Sequence, residues 1–110
     1  MIFDRFETAV VPFPFSDMPV QKRRPALVLS NRKFNEETGQ TIMAMITTAK
    51  DSAWPSDIWI SDIEGAGLVA SCVVRWKVMT LPNSTIVRRL GRLSIVDERA
   101  CRACFDAIFS

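Results

Sequence analysis

The sequence predicts a mainly β protein, a small and strongly bent sheet or partly open barrel with one C-terminal helix. Short runs rich in Val, Ile, Thr and aromatic residues recur along the whole chain between Pro, Gly, Asn and Asp signals. Only the last segment carries a strong 3.6-residue apolar period. At 110 residues, 48% apolar and 24% charged, the chain has the length and composition of one globular domain with a modest core.

The β-like runs follow in order. TAVVPF (8–13) ends in PFPF, whose two prolines argue against a central strand and suggest an edge leading into a loop. PALVLS (25–30) is apolar enough to be buried on both faces, and a helical turn is expected near Asn31–Glu37. TIMAMITT (41–48) is the third strand. DIWIS (57–61) alternates as a half-exposed strand does. SCVVRWKVMTL (71–81) is longer, with Cys72, Val74 and Trp76 on one face and Arg75 and Lys77 on the other. STIVRRLGRLS (84–94) supplies the last strand, broken at Gly91. Ser94 and Asp97 then form a capping box, and Cys101, Cys104, Phe105 and Ile108 make the apolar face of the terminal helix.

Composition excludes whole classes of chemistry. There is no histidine, so Ser-His-Asp and Cys-His nucleophile systems, paired-histidine ribonucleases and most catalytic zinc sites are ruled out. The Cys101–Cys104 CxxC has no second pair and no histidine to complete a tetrahedral site, which favours buried small hydrophobes. No cofactor and no metal is expected. No run approaches 18 apolar residues, and MIFDRFETAV has acids where a signal peptide needs a basic patch, so a cytoplasmic protein without membrane contact is expected.

Net charge is only +2, but it is unevenly spread. Residues 51–64 hold four acids and no base, whereas 75–92 hold five bases and no acid. With Lys22, Arg23 and Arg24, the basic segment suits a polyphosphate partner, or equally a set of solvated strand ends. Arg24 is distinctive because Pro25 holds it in an extended conformation at the mouth of a strand, with a fork of donors matched to phosphate. Thr47 and Thr48 end the third strand on opposite faces, and Ser16 and Asp17 lie in the PFPFSD loop, a position where sites tend to sit.

Taken in order, VVPFPFSD, KRRPALVLSN, MITT, GLVASCVVRWKVMTL and RLGRLS resemble the PemK/MazF toxin family across about residues 6–109. The resemblance implies an SH3-like small barrel, a homodimer, and a metal-independent endoribonuclease that cuts single-stranded RNA and is silenced by a cognate antitoxin. Arg24 then corresponds to the catalytic arginine and Thr47 to the catalytic threonine. Arg75 corresponds to a substrate-contacting base, and Ser16, Asp17, Lys22, Arg23, Thr48 and Lys77 complete the expected RNA-binding set. The chain departs from the pattern at Phe6-Glu7, where Gly-Asp is usual, at Cys72 for Ser, and at Lys77, where some members carry an acid.

Two rival functions are consistent with the fold. A gyrase-inhibiting toxin of the CcdB type resembles this family but has no need of the Arg24/Thr47 pair. A catalytically inactive SH3-like nucleic-acid-binding protein would be expected to show surface aromatics, yet tyrosine is absent and Phe13, Phe15 and Trp54 are the possible exceptions. Trapped gyrase–DNA cleavage complexes with RNA left intact would select the first rival.

Overall fold

The computed structural model describes residues 1–13, 22–48 and 53–110. Its elements are β1 (Glu7–Phe13), β2 (Lys22–Val28), α1 (Arg32–Thr38), β3 (Gln40–Thr48), β4 (Ile58–Trp59), β5 (Cys72–Pro82), a 3-10 turn at Asn83–Thr85, β6 (Arg88–Arg92) and α2 (Ile95–Phe109). The strands form one curled antiparallel sheet in the order β4-β5-β3-β2-β1-β6. No described helix is long and apolar enough to cross a membrane.

Two expectations are corrected. β1 is an interior strand, not an edge. β6 pairs with it only from Glu7 to Val10, so Pro12 lies on a stretch with one neighbour, where a missing N–H is tolerated. β2 starts at Lys22 instead of Pro25, because Lys22, Arg23 and Arg24 pair with Phe13, Pro12 and Val11 of β1. The backbone ladder absorbs the triple cation, while all three side chains stay exposed to water.

Side-chain alternation splits the core between the two faces of the sheet. One face buries Leu27, Ala44, Ile46 and Val74 with Phe6, Leu93 and Cys101, under α2. The other buries Ala9, Val11, Ala26, Val28 and Met43 with Phe3. α2 begins as the capping box requires: the Ser94 hydroxyl accepts from Asp97 N at 3.2 Å. Its apolar face engages through Cys101 and Phe105, the latter 6.1 Å from the Trp76 ring, whereas Ile108 lies past the edge of the core and is exposed. Burial, with smaller contributions from Asp97, Cys104 and Glu98, pushes the Cys101 thiol up to about 12, so it stays protonated and packs as a small hydrophobe.

The Gly-Leu and Leu-Gly-Arg-Leu motifs fit one another. Gly67 has φ +72°, and a Cβ there would stand 2.3 Å from the Leu90 carbonyl oxygen. A Cβ on Gly91 would stand 2.3 Å from the Gly65 carbonyl oxygen. The 65–67 turn thus lies backbone-on-backbone against β6, secured by Arg92 N to Gly65 O at 2.9 Å and by the buried Thr8 hydroxyl donating to Ala66 O at 2.7 Å. Gly91→Ala is expected to lower stability by about 2 kcal/mol or more, since neither backbone segment can yield as a side chain would. Chemical denaturation reads the loss; an unchanged midpoint would contradict this packing.

Position 6 explains one departure from the family pattern. Phe6 has φ +69°, a conformation that glycine adopts freely and that costs a bulky residue about 1–2 kcal/mol. Burial of its ring offsets that cost, and the Arg5 and Arg102 guanidinium groups stack on it at 4.7 and 4.9 Å. The next residue, Glu7, accepts from Asp4 N at 2.6 Å and pairs with Arg89 at 2.5 Å.

Candidate functional site

β2 and β3 pair only at Ala26–Val28 against Met43–Met45. Beyond that level they part. Pro25 contributes no N–H to either neighbour, and the β3–β5 ladder carries two extra residues, Trp76 and Lys77, between Ala44 and Met45. Such an irregularity bends its strands. Residues 22–25 of β2 therefore stay with β1, residues 46–48 of β3 stay with β5, and the sheet opens into a fork.

Arg24 and Thr47 stand on the two prongs. Continuing the Ala26–Met45 register by two residues brings them to the same level. Alternation places both on the face of Ala26, Val28 and Met43. Arg24 is exposed and makes no ion pair or side-chain hydrogen bond with the described residues. Thr47 is half-buried, and its hydroxyl likewise has no partner among them. An exposed guanidinium and an unengaged hydroxyl thus share one side of an opening between strands.

The remaining expected site residues divide by face. Lys22, Arg75 and Lys77 share the Arg24/Thr47 face, because Arg75 is the register partner of Met45. Arg23 and Thr48 fall on the opposite face, with Leu27 and Ile46. Ser16 and Asp17 lie outside the described residues.

Arg75 is held differently from the others. Its Nη2 and Nε donate to the two carboxylate oxygens of Asp57, at 2.8 and 3.2 Å. Only 11% of the Arg75 side chain and 6% of the Asp57 side chain are exposed. The Trp54 ring lies 5.6 Å from the same guanidinium. Asp57 closes a turn as well: Trp54 N donates to its carboxylate at 3.0 Å, and its own N–H donates to Trp54 O at 3.0 Å. The Arg75 hydrogen bonds hold the Asp57 carboxyl below the usual range despite partial burial, helped by the Trp54 amide. Those same bonds raise the Arg75 pKa.

Sequence reasoning missed Asp57. Its signal was the acid-rich 51–64 segment, which has no base of its own and so needs a distant partner. The carboxylate beside Arg75 is thus supplied from residue 57, across a strand, and Lys77 occupies the local position two residues on. Among the described residues, no group of three His, Cys, Asp or Glu is arranged to hold a metal ion.

Comparison with known proteins agrees with this architecture. An endoribonuclease from a mycobacterial species, solved with its cognate antitoxin, superposes with a TM-score of 0.72 at 14% identity, covering 96% of this chain and 91% of that one. For a MazE-MazF structure from Deinococcus radiodurans the TM-score is 0.78 at 20% identity, with 99% and 97% coverage. The Mycobacterium tuberculosis toxin MazF-mt6 gives 0.75 at 20% identity, with 94% and 95% coverage. No curated protein matches in sequence. The model for the PemK-like, MazF-like toxins of type II toxin-antitoxin systems matches residues 4–109, and the chain belongs to that family.

Proposed function

We propose that this protein is a metal-independent endoribonuclease toxin that cuts single-stranded RNA, with Arg24 and Thr47 at the cleaved phosphate. The observation that carries this reading is the fork. Two strands part and leave a guanidinium and a hydroxyl, neither engaged by a described residue, at one level and on one face.

The chemistry follows from those groups. The 2′-hydroxyl next to the scissile bond attacks phosphorus, the P–O5′ bond breaks, and the proton lost from O2′ is balanced by one gained at O5′. The products are a 2′,3′-cyclic phosphate and a 5′-hydroxyl. Negative charge builds on the non-bridging oxygens during the step. Arg24 stabilises it with a permanent positive charge and Thr47 with a hydrogen bond. Arg75, Lys22 and Lys77 on the same face grip flanking phosphates, while Arg23 and Thr48 act from the opposite side of the strands. A single strand is required, because in-line attack needs the nucleotide splayed from its neighbour.

A cognate antitoxin and a second copy of this chain complete the proposed assembly. A type II system pairs each toxin with a protein inhibitor, and the mycobacterial structure shows that arrangement for a relative. The half-buried Met79, Leu81 and Ile86 supply apolar surface for homodimerisation.

Incubation of the purified protein with mixed-sequence RNA in EDTA tests the reading. Cleavage is expected in the chelator, with cyclic phosphate at the new 3′ ends. Cleavage that appears only after magnesium is added would overturn the metal-free mechanism.

A further inference from the structure

We infer that Asp57 is a positioning residue for this reaction, acting through Arg75; the inference rests on the nuclease reading above. The register supports it first. Ile58 pairs with Val74 in antiparallel register, so one step back from Ile58 and one step on from Val74 bring Asp57 opposite Arg75, and the carboxylate meets the guanidinium directly across the strands. The contact is two-pronged, at 2.8 and 3.2 Å, and nearly closed to water, so the guanidinium plane is fixed, not merely tethered.

The surroundings fix Asp57 in turn. Trp54 N and the Asp57 N–H close a tight turn around the carboxylate. The Ser56 carbonyl in the same turn accepts from Trp76 Nε1 at 2.9 Å and from the Cys104 thiol at 3.5 Å, which anchors the turn to β5 and α2. The Trp54 ring limits the remaining freedom of the guanidinium. A carboxylate facing an RNA-binding surface repels phosphate, so a site built for affinity alone would omit it. Its presence makes sense if orientation of Arg75 contributes more to the reaction than raw attraction does.

This assignment makes a signed prediction. Asp57→Ala removes the two-pronged contact that orients the guanidinium, and with it a negative charge, so RNA binding is expected to hold or tighten while kcat falls about tenfold or more. In an Arg75→Ala background the same substitution is expected to change kcat by less than twofold, because Asp57 acts only through Arg75. Asp57→Glu, which keeps the carboxylate, is expected to restore part of the rate. An Asp57→Ala variant that cuts faster than wild type would show a simple electrostatic competitor and overturn the inference, as would full additivity with Arg75→Ala.

Should Asp57→Ala fail to fold, Asp57→Asn keeps the shape and takes its place. The Arg75 side-chain Nε–H resonance in nitrogen-15 spectra is a second readout that does not need activity. A resolved signal in wild type that averages away in Asp57→Asn is expected, and an unchanged signal would overturn the inference. Wild-type protein that leaves RNA intact, with the signal still lost in Asp57→Asn, would refute the nuclease reading alone, leaving the Asp57–Arg75 restraint standing without its catalytic consequence.

Discussion

Arg24→Ala is expected to slow RNA cleavage by about 10²–10³-fold while leaving the protein folded. The fold survives because Arg24 is exposed and makes no ion pair or side-chain hydrogen bond with the described residues, so its removal should move stability by less than about 0.5 kcal/mol. The rate falls because, among the described residues, no other cation stands level with Thr47 at the fork; Arg75, on the same face, is committed to Asp57. Arg24→Lys keeps the charge without the fork of donors and should recover only part of the rate. Thr47→Ala removes one hydrogen bond from an uncharged donor and should cost less, on the order of tenfold. Initial rates on a defined oligonucleotide, with thermal melts of each variant, check all three. Undiminished cleavage by Arg24→Ala would displace the site from the fork.

Asp97→Ala should produce the largest loss of stability, about 3 kcal/mol, or a fall in Tm of 10 °C or more. Asp97 is buried and accepts from Ser61 N at 3.0 and 3.1 Å, from the Ser61 hydroxyl at 2.8 Å and from Asp62 N at 3.1 Å. One carboxylate thus ties the start of α2 to the segment after β4, and alanine would leave several donors without an acceptor. Asp97→Asn keeps one acceptor oxygen and should lose roughly half as much. Burial alone would raise the Asp97 pKa, but the hydrogen bonds from Ser61, Asp62 and Ser94 outweigh it and the net shift is downward. A folded pKa below the unfolded value of about 3.9 means that this stabilisation is complete above that value. It is lost as pH falls through the lowered folded pKa. Urea midpoints measured from pH 6 down to pH 3 should therefore drop more steeply for wild type than for Asp97→Asn. Parallel curves would show that the carboxylate charge contributes nothing.

Much of the fold was legible because its signals are local. Asn31 and Ser94 announce their helices through side chains that bond within three residues: Asn31 accepts from Phe34 N at 2.8 Å, and Ser94 from Asp97 N. The alternation in CVVRWK correctly separates Cys72, Val74 and Trp76 from Arg75 and Lys77. The misplaced features share one cause, which is dependence on a neighbour distant in sequence. Prolines marked β1 as an edge, yet where β6 stops is set by its own length and bulge. The apolar run PALVLS marks the second strand from Pro25, yet β1 extends far enough to pair with the three cations before it. Phe6 showed as a departure from Gly-Asp, but its left-handed backbone and the ring burial that offsets it emerge only in three dimensions.

The candidate site divides the same way. Arg24 was identified from its own dipeptide, because Pro25 restricts the residue before it whatever the rest of the chain does. The hydroxyls of MITT and the capping Asp97 were also read from nearest neighbours. The opening between β2 and β3 has no local signature, since it arises where two ladders compete for strand ends and a bulge 30 residues onward bends one of them away. Nor does the Asp57–Arg75 pair, whose members lie 18 residues apart and meet by register across β4 and β5. Residue types and short-range stereochemistry thus establish the strands, the helix caps and the reactive groups. Long-range pairing establishes which of those groups face one another, because register and bulges are properties of two strands and are written in neither alone.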